Sequence, residues 1–199
     1  STSESVSKGG WPSPGNDTRI VDAMSLSSIS GGAGLKTLGD NVFAGNTKLK
    51  TITINGPLES VGSGTFKWCS GLTSFNIPDV MFEQGAYTFA LCDGLKTANV
   101  NTTAKVLAEG FFYDCEQLTT VVIPASVEKI GDKCFYNCRV LQTPVFNEGL
   151  KEIGNQAYFS CLKIRDLSFP ASLEKIGDNA FDGYKYNVRN MFSEIIRSY

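Results

Sequence analysis

Five cysteines recur at intervals of 23 residues and could bind a metal ion or form cross-links between repeats. They are Cys69, Cys92, Cys115, Cys138 and Cys161. A zinc site would be expected to contain paired spacings such as C-x-x-C, and none occurs. Disulfides between repeats are also unfavourable, because equivalent Cβ vectors in stacked repeats run parallel and do not point at each other. We therefore predict that these thiols, together with Cys134, are small buried core groups and that the chain has no metal site.

Histidine is absent from the chain. Its absence excludes Ser-His-Asp and Cys-His nucleophile pairs, and it excludes metal sites that depend on histidine ligands. The sequence also lacks a carboxylate pair, a glycine-rich phosphate loop or a serine-nucleophile motif on its predicted strands. The glycine-rich run at 31–34 is better interpreted as a flexible join. We predict no catalytic residue, no cofactor and no enzymatic activity.

Aromatic residues define the repeat that must position these groups. Steps of 23 residues from Phe135 in either direction give an aromatic residue each time: Phe43, Phe66, Phe89, Phe112, Tyr158 and Phe181. Because aromatic residues make up only 11% of the chain, an uninterrupted series of this length is not expected by chance. A fixed period of this size is typical of a stacked repeat array.

Each 23-residue unit, which we call a rung, predicts the same succession of local structures. After the aromatic residue, alternating apolar residues such as Val121 and Ile123 predict a short strand that ends at Asn or Pro. Before it, a glycine and an N-cap residue, such as Gly131 and Asp132, predict a tight turn into about two turns of helix. We therefore predict an α/β repeat solenoid with a parallel sheet on one face and short helices on the other. A single rung buries too little apolar surface to fold alone.

The predicted domain organisation follows from composition and from this register. Residues 1–17 are rich in Ser, Gly and Pro and are predicted to form a flexible lead-in. Residues 18–34 are predicted to form an N-terminal capping rung, and residues 35–184 form a solenoid of about seven units, of which the last is partial. Residues 185–199 are predicted to form a C-terminal cap, because an array must cover its last apolar layer.

Two segments, Leu173–Phe181 (LEKIGDNAF) and Cys115–Pro124 (CEQLTTVVIP), resemble the BspA-type leucine-rich repeat. The resemblance covers Leu35 to about Tyr184. The strand portion matches the general L-x-x-L-x-L pattern, although here the cysteine precedes that pattern instead of following it. The resemblance implies a right-handed leucine-rich-repeat-like coil. It also implies a bacterial or protist surface protein, because several members of that family are implicated in adhesion to host proteins.

We therefore expect a non-catalytic extracellular protein-binding or adhesion module, either lipid-anchored or secreted as a mature chain. Its expected partner is a protein of the host extracellular matrix or cell surface, and the chain is expected to be a monomer. The alternatives are a glycan-binding accessory module and a structural spacer of a larger surface protein. The formal net charge is −2 and there is no basic stripe, so no nucleic-acid partner is predicted. No apolar run approaches the length of a transmembrane segment.

The candidate partner-binding surface is the outward face of the predicted strands, a small and weakly polar strip. Its residues are Thr51, Thr53, Ser74, Asn76, Thr97, Asn99, Thr120, Val122, Thr143, Val145, Asp166 and Ser168. Solenoids usually bind partners on such extended surfaces, although the strip is equally consistent with a solvated sheet face. Pro144 lies inside one of these strands and lacks a backbone donor, so a local break in the sheet is predicted there.

The third and fourth rungs depart from the repeat pattern. Gln84 replaces a core aliphatic residue, and apolar residues occupy sites that are charged or polar in most other rungs. The sequence therefore predicts an exposed apolar patch formed by Phe82, Leu91, Val106 and Tyr113, unless these rungs are simply degenerate. By contrast, the charges that alternate along neighbouring rungs, such as Glu128 and Lys151, are interpreted as a ladder that fixes register and keeps the surface soluble.

Overall fold

The structure is a computed structural model that describes residues 26–100 and 102–183. The described chain forms a parallel-sheet solenoid of about six turns. Within the described residues, no helix has the length and hydrophobicity that crossing a membrane requires.

Two columns of short strands run along the solenoid. The first column, which we call the strand face, contains β1 (Ser28–Gly31), β3 (Thr51–Ile54), β5 (Ser74–Asn76), β6 (Thr97–Asn99) and β8 (Thr120–Val122). The second column contains β2 (Thr37–Leu38), β4 (Ser60–Val61), β7 (Val106–Leu107), β9 (Lys129–Ile130), β10 (Glu152–Ile153) and β11 (Lys175–Ile176). The strands form four sheets in the described chain, with orders β1-β3-β5, β6-β8, β2-β4 and β7-β9-β10-β11.

Neighbouring strands are parallel, and their register equals the sequence period. Thr51 pairs with Ser28 on one side and with Ser74 on the other. In the second column, Ile130 pairs in the same way with Leu107 and Ile153. The 23-residue repeat of the sequence therefore becomes the stacking repeat of the solenoid, and equivalent residues lie one above another.

The core is a continuous stack of aromatic rings, which we call the ring column. It contains Phe43, Phe66, Phe89, Phe112, Phe135, Tyr158 and Phe181. Successive ring centroids are separated by 4.9 to 6.0 Å, and the rings lie within 18° of parallel. Phe135 is 0% exposed, as is Leu118, which follows a ring by six residues and packs into the same core. The predicted stack of inward-facing rings is thus present.

The segment around each ring is not helical, so the prediction of short helices on the second face is wrong. Lys133 and Asn137, two residues before and after Phe135, have positive φ angles of 55° and 60°, and this alternation recurs in the other rungs. The N–H of Phe135 donates to the carbonyl of Ala157 in the next rung at 2.7 Å. An α-helix would use that N–H for its own i→i−4 bond. Hydrogen bonds between rungs therefore take the place of helical bonds.

A single α-helix is found in the described residues, and the sequence analysis did not predict it. This helix, α1 (Asp79–Gln84), begins directly after Pro78. It lies between β4 and β7, at the position where the other rungs contribute a strand to the second column.

The strand face is interrupted once and ends after β8 in the described residues. Residues 141–147 contain no strand, in agreement with the break predicted from Pro144, and the equivalent segment of the next rung at 164–170 contains none either. The interruption was not predicted: β5 and β6 are not paired, and α1 lies in the chain between them.

The boundaries of the lead-in, the caps and the solenoid remain predictions. The lead-in at 1–17 and the C-terminal cap at 185–199 lie outside the described residues. Of the predicted N-terminal capping rung at 18–34, residues 26–34 are described, and they contain β1. Ile29 of β1 pairs with Ile52 of β3 and packs against the core.

Candidate protein-binding surfaces

Eight of the twelve residues of the predicted strip lie in strands β3, β5, β6 and β8 of the strand face, and the strip is open to solvent. The other four, Thr143, Val145, Asp166 and Ser168, lie in the two following rungs, in segments that form no strand. Ten of its twelve side chains are exposed, and the other two, Thr53 and Thr143, are half-buried. The strand pairing places Thr51 beside Ser74, and it places Thr97 beside Thr120. The strip is therefore a set of short polar side chains in two rows, with Asp166 as its only acidic or basic member.

Two valines make the fourth and fifth rungs of this strip apolar. Val122 is 65% exposed and Val145 is 78% exposed, and these are the largest exposures among the exposed apolar side chains of the described chain. The two positions are 23 residues apart, on successive rungs. Val122 is the last residue of β8, whereas Val145 follows Pro144 inside the strand-free segment at 141–147. Exposed apolar side chains that are grouped in this way favour contact with a partner.

The predicted apolar patch over the third and fourth rungs is not formed as expected. Phe82 is only 1% exposed, because α1 turns its side chain into the core, where its ring stacks on Phe111 at 5.2 Å. Leu91, Val106 and Tyr113 are half-buried. The patch therefore loses its largest member, and the four residues do not form a common exposed surface.

The same helix explains the polar residue at a core position. Met81 and Phe82 of α1 are buried, whereas Gln84 is exposed. In a strand, residues two apart share a face, so Phe82 and Gln84 would both have pointed the same way. The helical turn separates them and avoids burial of an amide.

Asp79, in the first turn of α1, links the helix to the following rung by hydrogen bonds. Its carboxylate accepts hydrogen bonds from the hydroxyls of Thr102 and Thr103, and from the N–H of Thr103 at 3.1 Å. The hydroxyl of Thr102, followed by that of Thr103, contributes most to lowering the pKa of Asp79 below its ordinary value. The ionised carboxylate therefore stabilises this irregular rung.

A second aromatic stack, which was not predicted from the sequence, lies one residue after the ring column. Tyr113, Tyr136 and Phe159 stack with centroid separations of 4.8 and 4.9 Å, and their planes lie within 8° of parallel. All three are half-buried. The signal was present in the sequence, because these residues are also 23 apart. Tyr136 is covered by a ring on both faces, and Tyr113 and Phe159 are each covered by it on one face.

The five periodic cysteines form a column of thiols in which Cys161 is half-buried and the other four are buried, as is Cys134 beside them. Each of the five periodic cysteines donates an S–H hydrogen bond to the carbonyl of the aromatic residue one rung earlier, for example from Cys115 to Phe89 at 3.1 Å. All six cysteines are free. Burial raises the pKa of Cys69 to about 12, and it raises the pKa values of the other five as well. Such thiols are poor nucleophiles and poor metal ligands. Across 26–100 and 102–183, no group of three or more Cys, Asp or Glu side chains could hold a metal ion.

The charges of the second column are paired from rung to rung. The carboxylate of Glu128 forms salt bridges with the ammonium groups of Lys105 at 3.3 Å and Lys151 at 2.7 Å. Glu152 contacts Lys129 at 3.4 Å and Lys175 at 2.9 Å. These ammonium groups, Lys151 foremost for Glu128 and Lys175 foremost for Glu152, lower the pKa values of the two carboxylates. Each carboxylate of the ladder is therefore shared by lysines from the two neighbouring rungs, an arrangement that favours one register of stacking.

Comparison with known proteins shows the family to which this repeat belongs. The model of the BspA type leucine-rich repeat region matches residues 21–142 and 105–198, in 6 copies. The chain belongs to the BspA-type leucine-rich repeat family. No curated protein matches the sequence. Proteins of this BspA-type class are generally non-catalytic, and the fold is that of a protein-interaction or surface module.

Solved structures support the fold assignment. The BspA-type chain is 28% identical to a leucine-rich repeat protein from Bacteroides ovatus, with a TM-score of 0.65, and the match covers 82% of this chain and 48% of that one. A leucine-rich repeat protein from T. pallidum matches with a TM-score of 0.69 and 19% identity, over 84% of this chain and 82% of that one. A third, from Eubacterium ventriosum, gives a TM-score of 0.59 and 21% identity, over 82% and 45%. This chain thus spans about half the length of the Bacteroides protein.

Proposed function

We propose that this chain is a non-catalytic extracellular or cell-surface module that binds a protein partner through its strand face. The exposed pair Val122 and Val145 is the observation that carries the proposal. Protein interfaces commonly combine a small apolar centre with a polar rim that contains few charges. The rows of Thr, Ser and Asn beside the two valines provide such a rim.

The family supports the location and the class of partner. BspA-type repeat proteins are typically surface proteins, and we propose the same placement here, with a protein of the host extracellular matrix as the partner. We propose that the chain acts as a monomer and is either lipid-anchored or secreted. No cofactor is needed for this function.

The glycan-binding alternative has less support. Sugars stack on the open faces of aromatic rings, whereas Tyr113, Tyr136 and Phe159 cover one another's faces. The strand face itself contains no aromatic residue among the twelve strip positions. The spacer alternative predicts a folded chain that binds nothing, and the same experiment tests it.

The experiment is a binding assay on immobilised, purified extracellular-matrix glycoproteins, with an unrelated solenoid as the reference. We expect saturable binding at micromolar concentration. Val145→Asp should weaken it about tenfold or more, because a charge would be buried in the apolar centre. Val42→Asp is the matched control, since Val42 is also an exposed valine (45%) but precedes a ring on the turn side. Binding no stronger than the reference, or equal losses in the two variants, would refute the proposal.

A further inference from the structure

The column of thiols links each rung to the one before it. The S–H of Cys92 donates to the carbonyl of Phe66 at 3.2 Å, and the S–H of Cys138 donates to that of Phe112, also at 3.2 Å. The backbone N–H groups beside the rings donate in the opposite direction, as that of Phe89 does to Phe111 at 2.9 Å. Neighbouring turns are therefore joined both forward and backward, and the backward links of the cysteines require their thiol protons.

The carbonyls that accept these bonds lie inside the solenoid. Phe66, Phe89 and Phe112 are 0% exposed, and so are Cys92 and Cys115, whose thiols reach the first two of these carbonyls. A sulfur that has entered a disulfide has no hydrogen to donate. Oxidation of a column cysteine therefore removes a bond between rungs. The thiol is a weak donor, so the loss at one rung is small, but the same bond recurs in five rungs.

The stacking of the rungs also excludes a disulfide between successive members of the column. Equivalent Cβ atoms are separated by the step from one rung to the next, which is 4.9 to 6.0 Å in the ring column. A disulfide requires Cβ atoms about 3.5–4.5 Å apart on bonds that converge, whereas equivalent Cα–Cβ bonds run parallel. Members further apart in the column have a whole rung between them. The folded array therefore has no place for a disulfide within the column.

Burial shields the same thiols from oxidants. Disulfide exchange begins when a thiolate attacks the S–S bond of the oxidant, so it requires both access and ionisation. Cys92, Cys115, Cys134 and Cys138 are 0% exposed. Burial also raises the pKa values of all six thiols. In the unfolded chain neither barrier exists, and every thiol is open to exchange.

We infer that folding and cysteine oxidation exclude each other in this chain: the solenoid forms only from reduced thiols, and once formed it keeps its buried thiols reduced. The oxidant in question is a disulfide such as oxidised glutathione. Two chain thiols lose their hydrogens and form one S–S bond, while the S–S bond of glutathione is cleaved and takes up both hydrogens as two thiols. A cysteine that stops at the mixed disulfide carries a glutathione group for which the core has no room.

The inference has a consequence for the route by which the chain reaches its place of action. If the chain works outside the cell, which rests on the proposed function, it has to fold before it meets a disulfide oxidant. Small extracellular domains are commonly held together by disulfides, and their folding requires such an oxidant. This solenoid places the opposite demand on its surroundings.

The test is refolding of the full chain from urea, in buffer that contains either reduced or oxidised glutathione. The native circular dichroism should return with reduced glutathione and should be lost with oxidised glutathione. Later addition of dithiothreitol should restore it, because disulfide exchange is reversible. Mass spectrometry of the oxidised chain should show disulfides or glutathione adducts. Equal recovery in the two buffers, or a loss that dithiothreitol does not reverse, would overturn the inference.

Oxidised glutathione added to the chain after folding gives the complementary measurement. The thiols of Cys92, Cys115 and Cys138 should persist for as long as the native circular dichroism does, and mass spectrometry of the digested chain locates any that react. A chain that keeps its native spectrum while it holds a disulfide between two column cysteines would contradict the mutual exclusion.

One variant separates the column from the sixth cysteine. Cys134→Ala gives the fifth rung the residue that Ala157 and Ala180 supply in the next two rungs, where both are buried. It leaves the five periodic cysteines in place, so oxidised glutathione should still prevent refolding. Normal refolding of this variant with oxidised glutathione would assign the block to Cys134 and refute the role of the column. The wild-type comparison decides the matter if the variant does not fold in either buffer.

The outcome is separable from that of the proposed function, because refolding is measured without a partner. Matrix binding that is sensitive to Val145→Asp, in a chain that also refolds with oxidised glutathione, would reject the redox inference alone. A chain that refolds only with reduced thiols and binds no matrix protein would reject the strand-face proposal alone.

Discussion

The rung that contains α1 and the rungs from β7 to β11 have the same 23-residue spacing in the sequence. They differ in their backbone hydrogen bonds. From β7 onward, each rung adds a strand to a continuous ladder. At the helix rung, Gly85 donates instead to Met81 within α1, and the ladder is interrupted. The ring column nevertheless passes through both regions.

The distances between successive rings of the ring column differ between the two regions. The centroid separations on either side of Phe89, in the helix rung, are 5.8 and 6.0 Å, whereas the other steps of the column measure 4.9 to 5.5 Å. A helix is about 10 Å thick, whereas neighbouring strands are about 4.8 Å apart, so the helix rung needs more height. The comparison teaches that the repeat is held by its side-chain column, which accommodates a local change in backbone structure.

The largest expected effect tests that column directly. Phe135→Ala in the regular region and Phe89→Ala in the helix rung should each lower the free energy of unfolding by about 3–5 kcal/mol, because both rings are fully buried. Urea unfolding followed by circular dichroism measures the loss. A change below about 1 kcal/mol in either variant would show that the column is not continuous. Phe159→Ala, which truncates a half-buried ring, should cost less than either.

A stabilising effect is expected in the regular region. Tyr158 takes the place of a phenylalanine in the ring column, and its hydroxyl is buried without a hydrogen-bond partner. Tyr158→Phe should therefore raise the free energy of unfolding by about 1–2 kcal/mol. Tyr136→Phe, at a half-buried ring, serves as the control and should leave it nearly unchanged. Destabilisation of the Tyr158 variant would mean that the hydroxyl has a partner.

The anchor of the helix rung should make that region sensitive to acid. Asp79→Ala should cost about 1 kcal/mol at pH 7, since it removes the acceptor for Thr102 and Thr103. The pKa of Asp79 is lowered in the folded chain. Its stabilisation is therefore complete above the unfolded value of about 3.9, and it is lost as the pH falls through the folded value. Unfolding curves at pH 7 and near pH 2 should show the difference between wild type and variant shrinking in acid. A difference that is equal at both pH values, or that is matched by Glu174→Ala, would contradict this role.

The smallest effect is expected in the charge ladder of the regular region. Glu128 is half-buried at the surface and contacts two lysines that are themselves exposed, so Glu128→Gln should slightly lower the midpoint of unfolding at low ionic strength. In about 1 M NaCl the difference should vanish, because screening is then effective within about 3 Å. A salt-independent loss would show that Glu128 acts through packing instead.

The repeat itself could be predicted from the sequence because every rung has the same residue types at the same 23-residue spacing. The seven rings, the strand alternation and the break at Pro144 each follow from local residue types. The helices were predicted from the Gly and N-cap pattern of a single rung, such as Gly131 and Asp132. That pattern does not reveal that the backbone N–H groups of the turn donate hydrogen bonds to carbonyl groups of the next rung, as the N–H of Phe135 does to Ala157.

The candidate surfaces were less accessible to sequence reasoning. The strip follows from strand alternation, but the burial of Phe82 depends on a helix that appears in one rung only. Pro78 was interpreted as the end of a strand, although it also stands where a helix can begin.

The hydrogen bonds of the turns also give the array a direction. In each turn, N–H groups at and beside the ring donate forward to the following rung, as Asn41 does to Ser63. A turn stacked after Phe181 would therefore receive hydrogen bonds from Asn179 and Phe181 and would have to supply acceptors. A turn stacked before Asn41 would have to supply donors. Extension of the stack makes opposite chemical demands in its two directions.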